Sequence, residues 1–147
     1  MTILTASTTN EASVRPVLRL GLLGVGNVGQ GVIDVLTRNG GEIERRAGQA
    51  IRVVAASRRN VAALKALADV GVRTTDDPGA VVRDPEVDVV VELIGGTTLA
   101  KQLVLEAISL GKHVVTANKA LLAKHGMALA ALAEANKVPL AFEASVA

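Results

Sequence analysis

The residues with the clearest chemical meaning are three glycines, Gly24, Gly26 and Gly29, in the pattern Gly-x-Gly-x-x-Gly. The apolar run Leu18–Leu23 precedes them, and a helical pattern that begins near Asn27 follows them. In a strand–turn–helix unit, the first glycine permits a tight turn, the second lets a pyrophosphate approach the backbone, and the third allows close packing of helix on sheet. The N–H groups that start the helix then face the phosphates. This context predicts a dinucleotide-binding loop, rather than a turn that merely needs glycine.

Arg58 and Arg59 follow the apolar run at residues 51–56, where NAD-selective folds carry an acidic residue for the ribose 2′-hydroxyl. A guanidinium instead pairs with a 2′-phosphate through charge-assisted, often bidentate, hydrogen bonds. The sequence therefore predicts a preference for NADP, with NAD as the second choice. Arg58 is the better candidate of the two, and a solvated basic loop is the alternative interpretation.

The loop Ile94-Gly95-Gly96-Thr97 follows another apolar run, and its glycines would let the backbone lie close to the nicotinamide ribose. Simple turn chemistry is the alternative explanation for these glycines. Glu92 lies inside the preceding apolar run, where a buried carboxylate needs hydrogen-bond partners. We expect amides at a helix N-terminus to supply those partners, and we favour this structural role over a catalytic one.

Lys119 stands in the run Ala117-Asn118-Lys119, directly after a fifth apolar segment. Asn118 is suited to a helix N-cap, which places Lys119 in a first helical turn, where the dipole disfavours a cation by about 0.3–1 kcal/mol. We interpret this lysine as a group that holds a substrate oxygen or the cofactor ribose. A lysine that only extends to water is the alternative. Glu143, after a sixth run, could either ligate a cation with backbone carbonyls or make a structural hydrogen bond.

Alternating strands and helices must position these residues, because short apolar runs alternate with amphipathic segments along the chain. The predicted strands are Leu18–Leu23 and residues 51–56, 70–74, 88–93, 113–117 and 140–145. Predicted helices cover residues 27–46, with a possible break at Gly40-Gly41, and residues 60–69, 78–83, 98–110 and 118–136, the last bent near Gly126. Thr97 or Thr98 could cap the fourth helix. We expect an α/β fold, a Rossmann-type doubly wound parallel sheet of about six strands with helices on both faces.

Composition limits the function classes. The 147 residues suit one domain, which we place at residues 16–147 after a mobile, polar tail at residues 1–15 that is not a secretory signal. A net charge of +2 and a single aromatic residue, Phe142, argue against a nucleic-acid partner. The chain has no cysteine, which excludes thiolate chemistry and fits the cytoplasm. No apolar run approaches ~18 residues, so we expect no membrane span. We expect His113 and His125 to be structural, since no ligand cluster surrounds them in sequence.

Four segments together resemble homoserine dehydrogenase: Gly24 to Gly29, residues 84–96, residues 111–120 and residues 142–146. The resemblance covers nearly all of the chain after residue 15 and corresponds to the N-terminal NAD(P)-binding domain of that family. It implies an oxidoreductase that reversibly interconverts L-aspartate 4-semialdehyde and L-homoserine with NAD(P), in the biosynthesis of threonine, methionine and isoleucine. The cofactor contacts that the resemblance implies are Val25, Asn27, Val28, Ile94, Ala117 and Lys119.

The same resemblance implies further parts of an active site. Lys119 would lie near nicotinamide and substrate in a supporting role, with the main proton-transfer residue expected beyond Ala147. Glu143 and the backbone of Val146 would hold part of a sodium or potassium site. The family's substrate-binding and dimerisation region is not among these residues. We therefore expect a fragment or an isolated cofactor domain that binds cofactor without turnover, whereas the intact enzyme would be a homo-oligomer.

Two other functions deserve comparison with this one. A stand-alone nucleotide-sensing module, of the kind that gates a transporter or regulator, usually carries an acidic residue after its second strand. Arg58-Arg59 and the run Ala117-Asn118-Lys119-Ala120 argue against that module. Another Rossmann dehydrogenase, acting on a small semialdehyde or hydroxy acid, is the third hypothesis.

Overall fold

The computed structural model describes residues 16–142, which form one parallel sheet of six strands. Its strands are Leu18–Leu23 (β1), Ile51–Ser57 (β2), Arg73–Thr75 (β3), Val89–Glu92 (β4), His113–Thr116 (β5) and Leu140–Phe142 (β6). Their order across the sheet is β3-β2-β1-β4-β5-β6, and every neighbouring pair is parallel. Strand order reverses between β1 and β4, as in two joined mononucleotide-binding halves. The predicted Rossmann-type doubly wound sheet is confirmed.

Helices cover both faces of this sheet and give the molecule two apolar cores. They are Asn27–Ala47 (α1), Lys65–Asp69 (α2), Pro78–Arg83 (α3), Thr98–Ser109 (α4) and Lys119–Ala135 (α5). One core contains α1 residues such as Ile33 and Leu36, together with Leu22 from β1. The other contains residues of α3, α4 and α5, such as Leu103 and Leu129. Val90 and Val91 of β4 belong to opposite cores, because successive strand residues point to opposite faces.

The structure settles several element boundaries. α1 runs without a break through Gly40 and Gly41 and ends at Gly48, which is left-handed with φ of 74°. The predicted helix at residues 60–69 is wrong in its first turn, which is a 3-10 helix over Val61–Leu64. The side chain of Asn60 makes no cap hydrogen bond there. Helix α5 is continuous, and of the predicted sixth strand only residues 140–142 lie among the described residues.

Candidate functional site

The turn after β1 adopts a conformation that requires glycine. Gly24 has φ of +82°, and a Cβ atom placed there would lie 3.0 Å from the Cα of Ile94. The backbone N–H groups of Gly24 and Val25 donate to the carbonyl oxygen of Ser57, at 3.1 and 2.9 Å. The Gly24 N–H also lies 3.3 Å from the Ser57 hydroxyl. The end of β2 therefore holds the glycine loop in place.

Ser57 is a residue that the sequence reasoning missed. The predicted second strand ends at Ala56, whereas β2 extends through Ser57, which is buried. A polar residue at the end of a buried strand was the available signal. Its carbonyl and hydroxyl oxygens both face the glycine loop, so Ser57 shapes the loop without facing solvent.

The N-terminus of α1 has open hydrogen-bond donors. Its N-cap is Gly26, so no side chain caps the helix, and the first N–H to find a backbone partner is that of Gln30, which donates to Gly26 O at 2.9 Å. Within residues 16–142, the N–H groups of Asn27, Val28 and Gly29 make no hydrogen bond outside the helix, and their position in the first turn leaves them no partner inside it. A Cβ atom at Gly26 would find nothing within 4 Å. Open amides beside open space fit a phosphate group.

Gly29 lies deeper than the other glycines of the motif and is buried. A Cβ atom there would lie 3.4 Å from Leu93 Cδ1 and 3.4 Å from Val25 Cγ1. These distances show close packing of α1 on the sheet, as the motif predicts, although with less crowding than at Gly24.

Arg58 and Arg59 are exposed beyond the end of β2. The Arg58 N–H donates to Thr75 O at 3.0 Å, which ties its backbone to β3. Neither guanidinium forms an ion pair or a side-chain hydrogen bond with any other described residue. The pair is therefore a set of cationic donors beside the first half of the sheet, which fits a phosphate on the 2′-position of a ribose.

A crevice of about 140 Å³ opens at the carboxyl ends of β4 and β5. Its lining residues are Val28, Glu92, Leu93, Gly95, Ala117 and Asn118. The crevice therefore brings together Val28, Gly95 and Ala117 from the predicted cofactor contacts. Thr97 instead lines a separate groove between α4 and α5, and Lys119 is exposed as the first residue of α5. Thr97 occupies the N-cap position of α4 but makes no side-chain cap hydrogen bond.

Glu92 is fully buried, and its hydrogen bonds lie across the end of the sheet. Its Oε1 atom accepts from the backbone N–H groups of Ile94 and Gly95, at 2.8 and 3.3 Å. Its Oε2 atom accepts from the Thr116 hydroxyl at 2.6 Å. The structural role expected for Glu92 fits these contacts, but the expected partners differ. The amides belong to the loop before α4, not to a helix N-terminus, and Thr116 was missed.

Asn118 extends this set of hydrogen bonds to the next loop. Its Oδ1 atom accepts from Leu121 N–H at 3.0 Å, which confirms the predicted N-cap of α5. Its Nδ2 atom donates to Gly96 O at 2.6 Å, and its backbone N–H donates to the Thr116 hydroxyl at 3.1 Å. We call Glu92, Thr116 and Asn118, with the backbone of residues 94–96, the cross-loop network. It joins the β4–α4 loop to the β5–α5 loop.

A larger cavity, of about 500 Å³, lies at the opposite edge of the sheet and contains none of the predicted site residues. Several charged groups at that edge have partners. The Arg19 guanidinium binds the Asp88 carboxylate at 3.0 Å, and this hydrogen bonding holds the pKa of Asp88 below its ordinary value. Partial burial lowers the pKa of Lys112, whose ammonium donates to the carbonyl oxygen of Asp84.

The remaining sequence-based expectations concern a metal site and a membrane span. Glu143 and Val146, the predicted cation ligands, lie outside the described residues. Within residues 16–142, no three His, Cys, Asp or Glu side chains are grouped so that they could hold a metal ion. The helices of this part of the chain are all too short or too polar to cross a membrane.

The sequence from residue 24 to residue 143 matches the family model described as "Homoserine dehydrogenase, NAD binding domain". This match spans well over half of the chain. The chain belongs to the homoserine dehydrogenase NAD-binding domain family. The resemblance of the glycine loop and of residues 111–120 to homoserine dehydrogenase is therefore confirmed.

Individual relatives agree with this assignment. The chain is 52% identical over 137 residues to the homoserine dehydrogenase of Pseudomonas aeruginosa, and the aligned part covers 91% of the chain and 30% of that relative. It is 53% identical over 106 residues to the enzyme of Methylobacillus glycogenes, covering 72% of the chain and 26% of the relative. The chain thus spans less than a third of these homoserine dehydrogenases.

Solved structures show the same fold. The crystal structure of a homoserine dehydrogenase from Thiobacillus denitrificans superposes with a TM-score of 0.82 at 53% identity, covering 89% of this chain and 30% of that one. The S. aureus homoserine dehydrogenase at pH 7.0 superposes with a TM-score of 0.79 at 34% identity, covering 88% of this chain and 33% of that one. The family assignment therefore rests on both sequence and fold.

Proposed function

We propose that this chain is the cofactor-binding part of a homoserine dehydrogenase and that it binds a nicotinamide dinucleotide along the carboxyl edge of its sheet. The open N–H groups of Asn27, Val28 and Gly29 at an uncapped helix start carry this proposal, because they fit a pyrophosphate. Gly24, Gly26 and Val25 shape the turn that brings the phosphates to these donors. When bound, the cofactor supplies the hydride acceptor or donor of the reaction.

The cofactor that we propose is NADP in preference to NAD. The support is the absence of an acidic residue directly after β2 and the presence there of Arg58 and Arg59, whose guanidinium groups pair with no other described residue. A 2′-phosphate beside Arg58 would gain charge-assisted hydrogen bonds that a 2′-hydroxyl cannot make to the same degree.

Calorimetric titration of the chain with NADPH and NADH tests this preference. We expect NADPH to bind more tightly, and Arg58→Ala to weaken NADPH binding by about tenfold, from the loss of a charged hydrogen bond, while NADH binding changes little. Arg38→Ala, an exposed arginine on α1, is the matched control and should change neither affinity. Equal affinities for the two cofactors, unaffected by Arg58→Ala, would contradict the NADP proposal.

For the whole protein, we propose reversible reduction of L-aspartate 4-semialdehyde to L-homoserine, within threonine, methionine and isoleucine biosynthesis. Lys119 would support the reaction by holding a substrate oxygen or the nicotinamide ribose, because it begins α5 beside the crevice wall formed by Ala117 and Asn118. Ile94, Gly95 and Thr97 would contact the cofactor from the β4–α4 side. Hydride transfer also needs substrate held in near-attack geometry, which the relatives' remaining length would supply.

Activity measurements test this division of labour. We expect no homoserine oxidation by the 147-residue chain, and turnover once the remaining region of the enzyme is joined to it. Turnover by the chain alone would contradict the proposal.

We further propose that residues 16–147 form one domain of a cytoplasmic homo-oligomer, and that Glu143 and Val146 contribute to a sodium or potassium site.

A further inference from the structure

We infer that the cross-loop network is a positioning device that presets the nicotinamide end of the cofactor crevice. Glu92, Thr116 and Asn118 act in it as positioning residues, which shape the walls of the crevice through the backbone of residues 94–96. The inference rests on the proposed dinucleotide binding and adds to it the residues that would fix the geometry of one half of the cofactor.

The topology assigns the two halves of a dinucleotide to the two halves of the sheet. In this fold each half binds one mononucleotide, and the residue after β2 meets the adenosine ribose. Arg58 follows β2, so the β1–β3 half takes the adenosine side. The crevice between the ends of β4 and β5 then remains for the nicotinamide riboside. Gly95 and Ala117 line this crevice from its two loops.

The β4–α4 loop needs external restraint to keep one shape. Gly95 and Gly96 both have positive φ, +81° and +70°, and a Cβ atom at either position would meet nothing within 4 Å. Packing therefore does not hold this glycine pair, and glycine has more backbone freedom to lose than any other residue. The restraint comes from hydrogen bonds at both ends of the pair. Glu92 accepts from the Gly95 N–H, and the Asn118 amide donates to Gly96 O.

The groups that supply this restraint are themselves fixed. Glu92 and Thr116 are 0% exposed, and Asn118 is 9% exposed. Hydrogen bonds are stronger in such low-dielectric surroundings, and members of a connected network strengthen one another. The Thr116 hydroxyl is one of two links between the loops, since it donates to Glu92 and accepts from the Asn118 N–H. Loss of that hydroxyl leaves only the direct hydrogen bond from the Asn118 amide to Gly96 O.

Two substitutions each remove one link between the walls without removing the elements that carry them. Thr116→Val keeps the shape of the side chain and removes the hydroxyl. Asn118→Ser keeps a hydroxyl that can cap α5 but removes the amide that donates to Gly96 O. Thr116→Ser restores the hydroxyl and serves as the rescue variant. Thr37→Val, on the exposed surface of α1, is the control for a hydroxyl-to-methyl change.

The experiment compares two ligands on each variant by calorimetric titration: NADPH, and adenosine 2′,5′-bisphosphate, which is the adenosine half alone. We expect Thr116→Val and Asn118→Ser to weaken NADPH binding by about 3- to 10-fold, as for the loss of one hydrogen bond. Binding of adenosine 2′,5′-bisphosphate should change less than about twofold on the same basis, and Thr116→Ser should bind both ligands as the wild type does.

Three results would overturn the inference. Equal weakening of both ligands would show a general structural role, and unchanged NADPH binding would show that the network does not shape the crevice. A Thr116→Ser variant as weak as Thr116→Val would show that the hydroxyl link is irrelevant. Failure of the wild-type chain to bind NADPH or NADH would instead refute the proposed function, and the inference would fall with it.

Discussion

The two edges of this sheet use their charged and polar groups in opposite ways. At the amino edge, several side chains neutralise one another: Arg19 pairs with Asp88, and Arg73 pairs with Asp84 at 2.7 Å and with Glu86 at 3.0 Å. At the carboxyl edge, the first amides of α1 and the guanidinium of Arg58 have no partner among residues 16–142. Donors that a folded chain leaves open are the ones available to a ligand.

Cavity size alone would favour the other edge. The cavity at the amino edge, about 500 Å³, is larger than the crevice of about 140 Å³ at the carboxyl edge. Its charged lining residue Arg83 already binds Glu106 at 2.6 Å, and Asp88 already binds Arg19. We therefore base the proposed cofactor site on unpaired donors rather than on cavity volume.

The largest effect is expected from a substitution that fills the open space at the carboxyl edge. Gly26→Ala should weaken NADPH binding by about 10- to 100-fold. The added methyl group would lie where the pyrophosphate approaches the N–H groups at the start of α1 and would prevent those charge-assisted hydrogen bonds. No contact opposes the new methyl group, since no atom lies within 4 Å of the added Cβ, so any loss of stability at φ of −107° and ψ of −146° should be smaller than for a substitution at Gly24, where φ is positive. Titration and thermal unfolding check both parts. Gly31→Ala, another glycine with no neighbour within 4 Å, is the control, and unchanged NADPH affinity in Gly26→Ala would refute the phosphate site.

A change at the neighbouring glycine should act on the fold instead. Gly24→Ala places a side chain at φ of +82° and brings its Cβ within 3.0 Å of the Ile94 backbone. We expect the free energy of unfolding to fall by about 1–2 kcal/mol from the backbone conformation, with further loss from the contact. Urea unfolding measures this change. A variant as stable as the wild type would show that the turn is less constrained than its geometry indicates.

A smaller, pH-dependent change in stability is expected from the Arg19–Asp88 ion pair at the amino edge. Asp88→Asn should lower stability at pH 7 by less than about 1 kcal/mol, because the Arg19–Asp88 pair is partly exposed. Hydrogen bonding from Arg19 lowers the pKa of Asp88, so its contribution is complete above the unfolded value of about 3.9 and is lost as the pH falls through the folded value. The stability gap between wild type and variant should therefore close below pH ~4 in acid-unfolding curves. A gap that stayed constant down to low pH would contradict this account, and NADPH affinity at pH 7 should be unchanged.

The smallest expected effect is a gain. Gly40→Ala, inside α1 and far from both edges, should raise the free energy of unfolding by about 0.5–1 kcal/mol, since alanine has the higher helix propensity. The helix is already continuous at this point, and no atom lies within 4 Å of the new Cβ. Thermal unfolding and NADPH titration together check that stability changes without any change in binding. A loss of stability would show that α1 is strained there.

Local patterns were sufficient to predict the sheet and the glycine loop. The apolar run Leu18–Leu23 and the glycines after it define β1 and the start of α1, because each depends on residues close in sequence. The N-cap role of Asn118 was predictable for the same reason. The 3-10 turn at Val61–Leu64 was not predicted, because 3-10 and α-helical turns differ in their backbone hydrogen bonds, which the local residue pattern does not reveal.

Contacts between segments that are distant along the chain could not be predicted from the sequence. Ser57 meets Gly24 across 33 positions, and Thr116 meets Glu92 across 24 positions. The sequence indicated that a buried Glu92 needs hydrogen-bond partners. Only the sheet register, which places Glu92 beside Thr116, determines which residues those partners are. For that reason the cross-loop network emerged from the structure, whereas the glycine loop was predicted from the sequence.

The most direct test of the contrast between the edges is an NMR titration of the isotopically labelled chain with NADPH. The account predicts the largest amide shifts at Asn27, Val28 and Gly29, with smaller shifts at Arg58 and Gly95, and unperturbed signals from Arg19, Lys112 and His113 at the amino edge. Shifts concentrated around Lys112 and His113, with the amides of α1 unchanged, would contradict the account and place the ligand in the larger cavity.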